Sequence, residues 1–352
     1  RISDYPEIFS HVLGYTSRIE NDFKSMPEIP RSHWKDIELV YAHGLIQGQT
    51  GLEQIYDDHL SGQHGQRVYE MNARGQFVQP LSFTQPAKGL DLYTNLDIDA
   101  QKSAAKFLGN RKGAVVAIDL ESGGINVLYS SPTYSINQLS NGMSENNFQT
   151  LLNDADKPFF NRALQGRYPP ASTIKPAIGM YGLSNNIVNW DFEMKDPGFF
   201  TLPETGRVFR GWRKGGHGKV NMHKAFLVSS NTYFFSLAYQ ADIEELSTHL
   251  SSLGFGQKVC LDCFEEDPAF VPTPKWKYSI MNAGWVKGDT VNLGIGQGYL
   301  VATPMQLANY AAILATKGLY TEPSLVALGN QKKTLKTWQD KRFDNSDWTK
   351  MH

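Results

Sequence analysis

The 352-residue sequence has only two cysteines, no long apolar run and almost no net charge. Its 34 basic and 35 acidic side chains cancel, so no field draws nucleic acid or an anionic membrane to it. No apolar stretch approaches the roughly 20 residues of a membrane-crossing helix. Gly113-Ala114-Val115-Val116-Ala117-Ile118 has only the length of a strand. No secretory leader follows Arg1, and upstream trimming is the expectation. The cysteines stand in Val259-Cys260-Leu261-Asp262-Cys263-Phe264. Zinc would need two more ligands nearby, and a redox pair belongs at a helix start that lowers a thiol pKa. The apolar neighbours predict a strand instead, with two separate core thiols on opposite faces.

What is present describes an ordinary globular protein. Hydrophobic residues make up 41% and charged residues 20%, enough apolar material for about two domains with a core in each.

One stretch organises the rest: Tyr168-Pro169-Pro170-Ala171-Ser172-Thr173-Ile174-Lys175-Pro176. The two prolines hold the approaching backbone extended, and Pro176 fits only in a first helical turn, where a missing N–H costs nothing. The helix should therefore begin near Ser172. Positions i and i+3 share a helical face, which brings the Lys175 amine within hydrogen-bond reach of the Ser172 hydroxyl. The spacing S-x-x-K is weak by itself, because it also occurs at Ser32 to Lys35 and at Ser103 to Lys106. Ser103 lies among helix formers whose lysines share a solvated face, and Ser32 after Pro30 reads as a helix N-cap. Only Ser172 has the proline brace.

Along the chain, residues 51–60 carry apolar side chains at helical spacing and stop at Gly62; residues 66–71 have a strand pattern followed by a turn at 72–75. No catalytic cluster occurs before residue 88, so that segment reads as a support module. Residues 90–96 look extended, and a helix is predicted over 99–107. A hairpin with a glycine turn is predicted over 113–120 and 124–130, and residues 132–168 read as loop. Residues 221–239 read as helix, loop, helix, broken at Ser229-Ser230-Asn231. Gly294-Ile295-Gly296-Gln297-Gly298 lacks the glycine spacing, the preceding strand and the acidic partner of a dinucleotide loop. A helix follows over 303–317, from Pro304 to a stop at Gly318. The last thirty or so residues are polar, with weak signals.

Taken together, Y-P-P-A-S-T-I-K-P, then Ser229-x-Asn231, then G-I-G-Q-G-Y-L-V-A-T-P-M-Q-L-A over 294–308 resemble the transpeptidase domain of class B penicillin-binding proteins. Gly51-Leu52-Glu53, Gly65 and Asn72-x-Arg74-Gly75 are similar to the pedestal of the penicillin-binding protein 2 branch, the elongation transpeptidases of Gram-negative bacteria. The resemblance covers nearly the whole chain. It implies an α/β (α+β) fold in which an antiparallel sheet is flanked by helices, beside an all-helical lobe. The dimerisation-type pedestal would occupy residues 1–88 and the transpeptidase domain 89–352. It also implies a periplasmic location, with an inner-membrane anchor helix absent from this sequence.

The resemblance assigns chemistry residue by residue. Ser172 would attack the penultimate D-Ala carbonyl of a peptidoglycan stem peptide and expel the terminal D-Ala; an amine of a neighbouring strand would then resolve the acyl-enzyme into a cross-link. Lys175 can act as base only when neutral, and an ordinary lysine is about three pH units too basic for that, a gap of roughly 4 kcal/mol. Burial and a nearby positive charge would have to lower it. Ser229 would relay a proton to the leaving nitrogen and Asn231 would bond the substrate backbone. The Ser172 N–H would supply half of an oxyanion hole, a donor worth on the order of a hundredfold in rate. Implied partners are stem peptides, β-lactams, a glycan-polymerising membrane partner and elongation-complex proteins, with no nucleic acid and no cofactor. The alternatives are a D,D-carboxypeptidase on the same fold, or a non-catalytic β-lactam sensor or elongation scaffold.

Two departures stand out. The family's K-S/T-G segment is not found before Met351-His352, so the polypeptide as written is expected to lack part of its sheet and to be impaired. Some relatives hold zinc on Asp, Asp, His and Cys; here Asp196 and His217 match two positions, while Gly211 and Ser230 occupy the others. Two ligands do not close a zinc site, and the expectation is no metal, with a buried contact between Asp196 and His217.

Overall fold

A computed structural model describes residues 2–18, 46–63, 65–74, 76–327, 335–340 and 343–352. The cap expected at Ser32, and Gly75 of the pedestal motif, lie outside the described residues. Two compact units emerge. The first comprises Arg1–Thr94, Ile98–Lys112 and Tyr129–Phe159; the second comprises Asn95–Asp97, Gly113–Leu128 and Phe160–His352.

In the first unit the helix expected over 51–60 is divided at Tyr56 into Gly51–Ile55 and Asp57–Ser61. The Asp57 carboxylate accepts the Gly48 N–H and the Ser61 hydroxyl, at 3.1 and 3.0 Å, and so anchors a fresh helical start. Gly62, at φ +71°, ends the second helix in a backbone that glycine adopts without strain. Strands Gln66–Met71 and Phe77–Thr84 pair antiparallel. Their turn is set by Asn72, whose side-chain oxygen accepts the N–H groups of Arg74 and Gln76. Helix Ile98–Leu108 buries Gln101 and Ala104. Its Ser103 hydroxyl turns back to the Asp99 carbonyl at 2.7 Å, and Lys106 is exposed, in keeping with a solvated face.

Residues 132–168, read as loop, contain helices Ile136–Ser140, Glu145–Leu152 and Arg162–Gln165. None is longer than 8 residues, too short for a periodic apolar stripe to announce it. Side-chain caps define two of the three: Ser144 accepts the Asn147 N–H and Asn161 the Leu164 N–H.

The predicted hairpin forms as strands Gly113–Ile118 and Ile125–Ser131, the second unit holding the first strand and the second as far as Leu128. Asp119 closes the turn by donating its N–H to the Gly124 carbonyl at 2.8 Å, while its carboxylate accepts the Ser122 N–H. Every sheet among the described residues is two-stranded. The core is helical, with Lys175–Ser184 running through it; Lys175 and every residue from 177 to 184 are buried. An element apolar on all sides has nowhere else to go. Helices Asn231–Gln240 and Ile243–Ser252 pack against it with Phe234, Leu237, Leu246 and Leu250. The approach is close enough that a Cβ on Gly179 would meet the Phe226 ring at 2.6 Å, and one on Gly182 would meet Leu237 at 2.7 Å.

The cysteines depart from the expected strand of separate thiols, since Cys260 and Cys263 form a disulfide. Backbone N–H groups explain the bend. Glu266 accepts those of Val259 and Cys260, and Asp262 accepts those of Leu325 and Val326 at 2.7 and 2.8 Å. These carboxylates fold the segment into a turn, which puts both Cβ atoms on one side.

Candidate active site

The predicted nucleophile sits where two sequence motifs meet. Tyr168 and Ala302 exchange backbone hydrogen bonds of 2.9 Å in both directions, and the Ala171 N–H donates to the Gly296 carbonyl at 2.9 Å. The proline-braced segment is thereby held against the G-I-G-Q-G run. Ala171 takes φ +49° and Gly296 φ +69°. A left-handed backbone costs a non-glycine residue about 1–3 kcal/mol, so the surroundings must hold Ala171 there. The contact leaves no room for a side chain at Gly296, where a Cβ would lie 2.2 Å from the Ala171 carbonyl oxygen. Ser172 follows on a tight turn, Ala171–Ile174, and the regular helix begins at Lys175 with Pro176 in its first turn. Ser172 is exposed, while Lys175 is 2% exposed.

All four candidate side chains converge. The Lys175 amine donates to the Asn231 side-chain oxygen at 2.7 Å, and to the Ser229 Oγ and carbonyl, each at 2.9 Å. Ser229 Oγ in turn donates to Ser172 Oγ at 3.2 Å. A direct Lys175 to Ser172 bond was expected from the i, i+3 spacing. The structure inserts Ser229 between them, because the tight turn carries the hydroxyl off the regular helical face. Burial pushes the Lys175 amine down from 10.5 to about 8; removal from water accounts for the shift without a neighbouring positive charge. Ser172, Lys175 and Ser229 open into a cleft of about 470 Å³ that Phe226, Leu314 and Met351 also line. A hydroxyl in an open cleft, joined through a second hydroxyl to a softened amine, can make and break an acyl ester.

Comparison with known proteins fits that chemistry. The family model of the penicillin binding protein transpeptidase domain matches residues 113–352, and that of the penicillin-binding protein dimerisation domain matches residues 1–94. This chain belongs to the penicillin-binding protein transpeptidase family. It is 39% identical to peptidoglycan D,D-transpeptidase MrdA of Acinetobacter baumannii, over 99% of this chain and 52% of that protein. Against MrdA of Escherichia coli K12 the identity is 35%, over 93% of this chain and 51% of the other. The chain thus spans about half the length of these curated relatives. Among solved structures, Pseudomonas aeruginosa PBP2 in complex with WCK 5153 superposes with TM-score 0.79 at 31% identity, covering 100% of this chain and 74% of that one. PBP2 of Helicobacter pylori in complex with MreC gives 0.82 at 31% identity, covering 99% and 62%. Membership of the penicillin-binding transpeptidase fold accords with the mixed helix and strand content.

The four positions compared with a zinc cradle do not make one in this penicillin-binding protein. Gly211 has no side-chain donor atom. Ser230 donates its hydroxyl to Asp196 Oδ2 at 2.6 Å, and Asp196 Oδ1 accepts the Gly198 N–H at 2.7 Å. The expected contact with His217 is a backbone bond, its N–H to the Asp196 carbonyl at 3.2 Å, while its ring meets Trp212 at a tilt of 53°, centroids 5.3 Å apart. Burial pushes the Asp196 carboxyl up, but its hydrogen bonds, the Ser230 hydroxyl foremost, outweigh this and hold it below the usual carboxylate range. Among the described residues the one close group of metal-capable side chains is Cys260, Asp262 and Cys263, and its sulfurs are spent in the disulfide.

Sequence reasoning missed the support around this site. Trp212, itself exposed, donates its indole N–H to the Ser229 carbonyl at 3.2 Å. The Tyr310 hydroxyl accepts the Ala177 N–H at 2.8 Å in the first turn of helix Lys175–Ser184. Neither residue has a local pattern that signals its partner, because the two halves of each pair are 17 and 133 residues apart.

Proposed function

We propose that the protein is a serine peptidoglycan D,D-transpeptidase that β-lactams acylate as substrate mimics. The observation that carries this is the run of contacts from the buried Lys175 amine through Ser229 Oγ to Ser172 Oγ. With the amine near 8, about a tenth of molecules carry it neutral at pH 7, against fewer than one in a thousand for an ordinary lysine. Once Lys175 is neutral both hydrogen bonds reverse, with Ser172 Oγ–H donating to Ser229 Oγ and Ser229 Oγ–H to the amine, and the Ser172 proton passes to the amine along that relay. Ser172 Oγ bonds to the penultimate D-Ala carbonyl carbon, and collapse of the tetrahedral intermediate breaks the C–N bond. The terminal D-Ala leaves with a proton returned through Ser229. An acceptor amine then attacks the ester and gives its proton to the neutral Lys175; the ester C–O bond breaks, Ser172 Oγ takes that proton back through Ser229, and the cross-link is formed. Asn231 Oδ1 holds Lys175 while its amide N–H₂ is the group offered to the substrate backbone.

The names of the relatives and their chain-wide similarity support this reading. The dimerisation-domain match supports a pedestal over 1–88 ahead of a catalytic domain over 89–352. The solved Helicobacter pylori complex with MreC, and a similar structure of a peptidoglycan synthase complex that couples polymerization and crosslinking, support elongation-complex partners, including a glycan polymerase. A periplasmic, membrane-anchored location belongs to the same reading; among the described residues no helix is long and apolar enough to cross a membrane.

Incubating the full-length protein with a fluorescent penicillin tests the proposal. Covalent labelling should be strong and should vanish in Ser172→Ala. A parent that never labels, or a Ser172→Ala variant that still does, would refute it.

A further inference from the structure

Resting on the transpeptidase reading, we propose that Asp196 is a positioning residue for the Ser229–Asn231 turn, acting through the hydroxyl of Ser230. Three facts converge on it. First, Ser229 is held at φ +51°, a backbone that a serine does not keep unaided. Second, Ser230 is wholly buried, and its oxygen accepts the Tyr233 N–H at 3.2 Å as the cap of helix Asn231–Gln240. Its own proton must therefore go elsewhere. Third, that proton goes to Asp196 Oδ2 at 2.6 Å, from a strand, Met194–Asp196, that pairs with Gly218–Val220. A short hydroxyl-to-carboxylate bond is among the stronger neutral-to-ion contacts.

With one lone pair used by the cap and the proton held by a buried carboxylate, Ser230 is fixed at both ends. Ser229 and Asn231 are its two chain neighbours, one peptide unit away on either side. Fixing Ser230 therefore fixes the directions in which Ser229 Oγ and Asn231 Oδ1 meet Lys175. Neither Asp196 oxygen bonds to Ser172 or Lys175, so its influence is on geometry and not on the basicity of the amine. The link joins two of the four positions that fail as a metal cradle; a hydrogen bond between side chains connects the strand to the catalytic turn where two further metal ligands are missing.

The test compares Asp196→Ala and Asp196→Asn in the full-length protein, by penicillin acylation rate against pH and by amide hydrogen exchange. A misplacement of about 1 Å costs on the order of a hundredfold, so Asp196→Ala should acylate 10- to 100-fold more slowly with the midpoint of its pH profile unmoved. Asp196→Asn keeps an oxygen acceptor for Ser230 and should recover most of the rate. Exchange should quicken at residues 229–231 and stay slow in helix Lys175–Ser184. Ser230→Ala should show the same defect, and the double variant should be no worse than the poorer single one, as expected for one shared contact. Acylation of Asp196→Ala at the parent rate overturns the proposal, as does exchange that quickens evenly through the unit, which would mark general destabilisation. If the parent itself never labels, the transpeptidase reading falls, and exchange alone decides the positioning role: unchanged protection at 229–231 in Asp196→Ala removes it.

Discussion

The turn around Ser172 and the hairpin Gln66–Met71 with Phe77–Thr84 both display side chains to solvent, yet they are built in opposite ways. Ser172 is an exposed polar group standing on a buried helix and a left-handed alanine, clamped by Gly296 and Tyr168. The hairpin strand Phe77–Thr84 is exposed along its whole length, with Phe77, Val78, Leu81 and Phe83 all more than half open to water. In the first case the surroundings determine where one reactive atom lies. In the second, cross-strand pairs such as Tyr69 and Phe77, edge to face at 5.0 Å, are the local support. The placing of an exposed group in this chain therefore depends on what is packed beneath it, and not on its own burial.

That contrast can be broken at several points. The largest effect should come from Lys175→Ala, which removes the base. Penicillin acylation near neutral pH should fall on the order of a thousandfold, and labelling close to the parent rate would disqualify Lys175. Next comes Gly296→Ala, whose Cβ has a backbone oxygen 2.2 Å away and must sit at φ +69°. Denaturant melts should show a loss of about 2–4 kcal/mol, accompanied by slower acylation; an undiminished midpoint would mean that the clamp on Ala171 is not needed.

A smaller effect concerns pH. The proposed base works when neutral, and its folded pKa is about 8, so the acylation rate should rise about tenfold from pH 7 to pH 9 and level off above. A profile still climbing steeply past pH 9 would put the amine back near its ordinary value. Smallest of all is Phe77→Ser in the hairpin. That ring is 71% exposed, and the change should alter stability by no more than about 0.5–1 kcal/mol and leave acylation untouched. A large loss there would show that the strand is supported by more than its hairpin partner.

The parts legible in the sequence were those whose signal is local. Pro176 in a first turn, Gly318 after a helix and the break at Ser229-Ser230-Asn231 all rest on backbone rules that act within a few residues, and each stands where it was expected. Ser172, Lys175, Ser229 and Asn231 were chosen by combining motifs, and the fold brings the four together. The disulfide escaped because the bend that pairs Cys260 with Cys263 is made by Glu266 and by N–H groups at 325 and 326, which no reading of 259–264 contains.

By itself, the sequence determined the order and chemistry of the motifs, the proline-set start of the helix after Ser172, and the need for a lysine far from its ordinary pKa if Lys175 is to act as a base. Only the tertiary structure decided how that need is met. It buried the amine against Phe234, set Ser229 between Lys175 and Ser172, and tied the turn to Asp196. The reason is physical: desolvation and hydrogen-bond direction depend on which distant segments close around a group, and a linear spacing carries no information about what will lie on its far side.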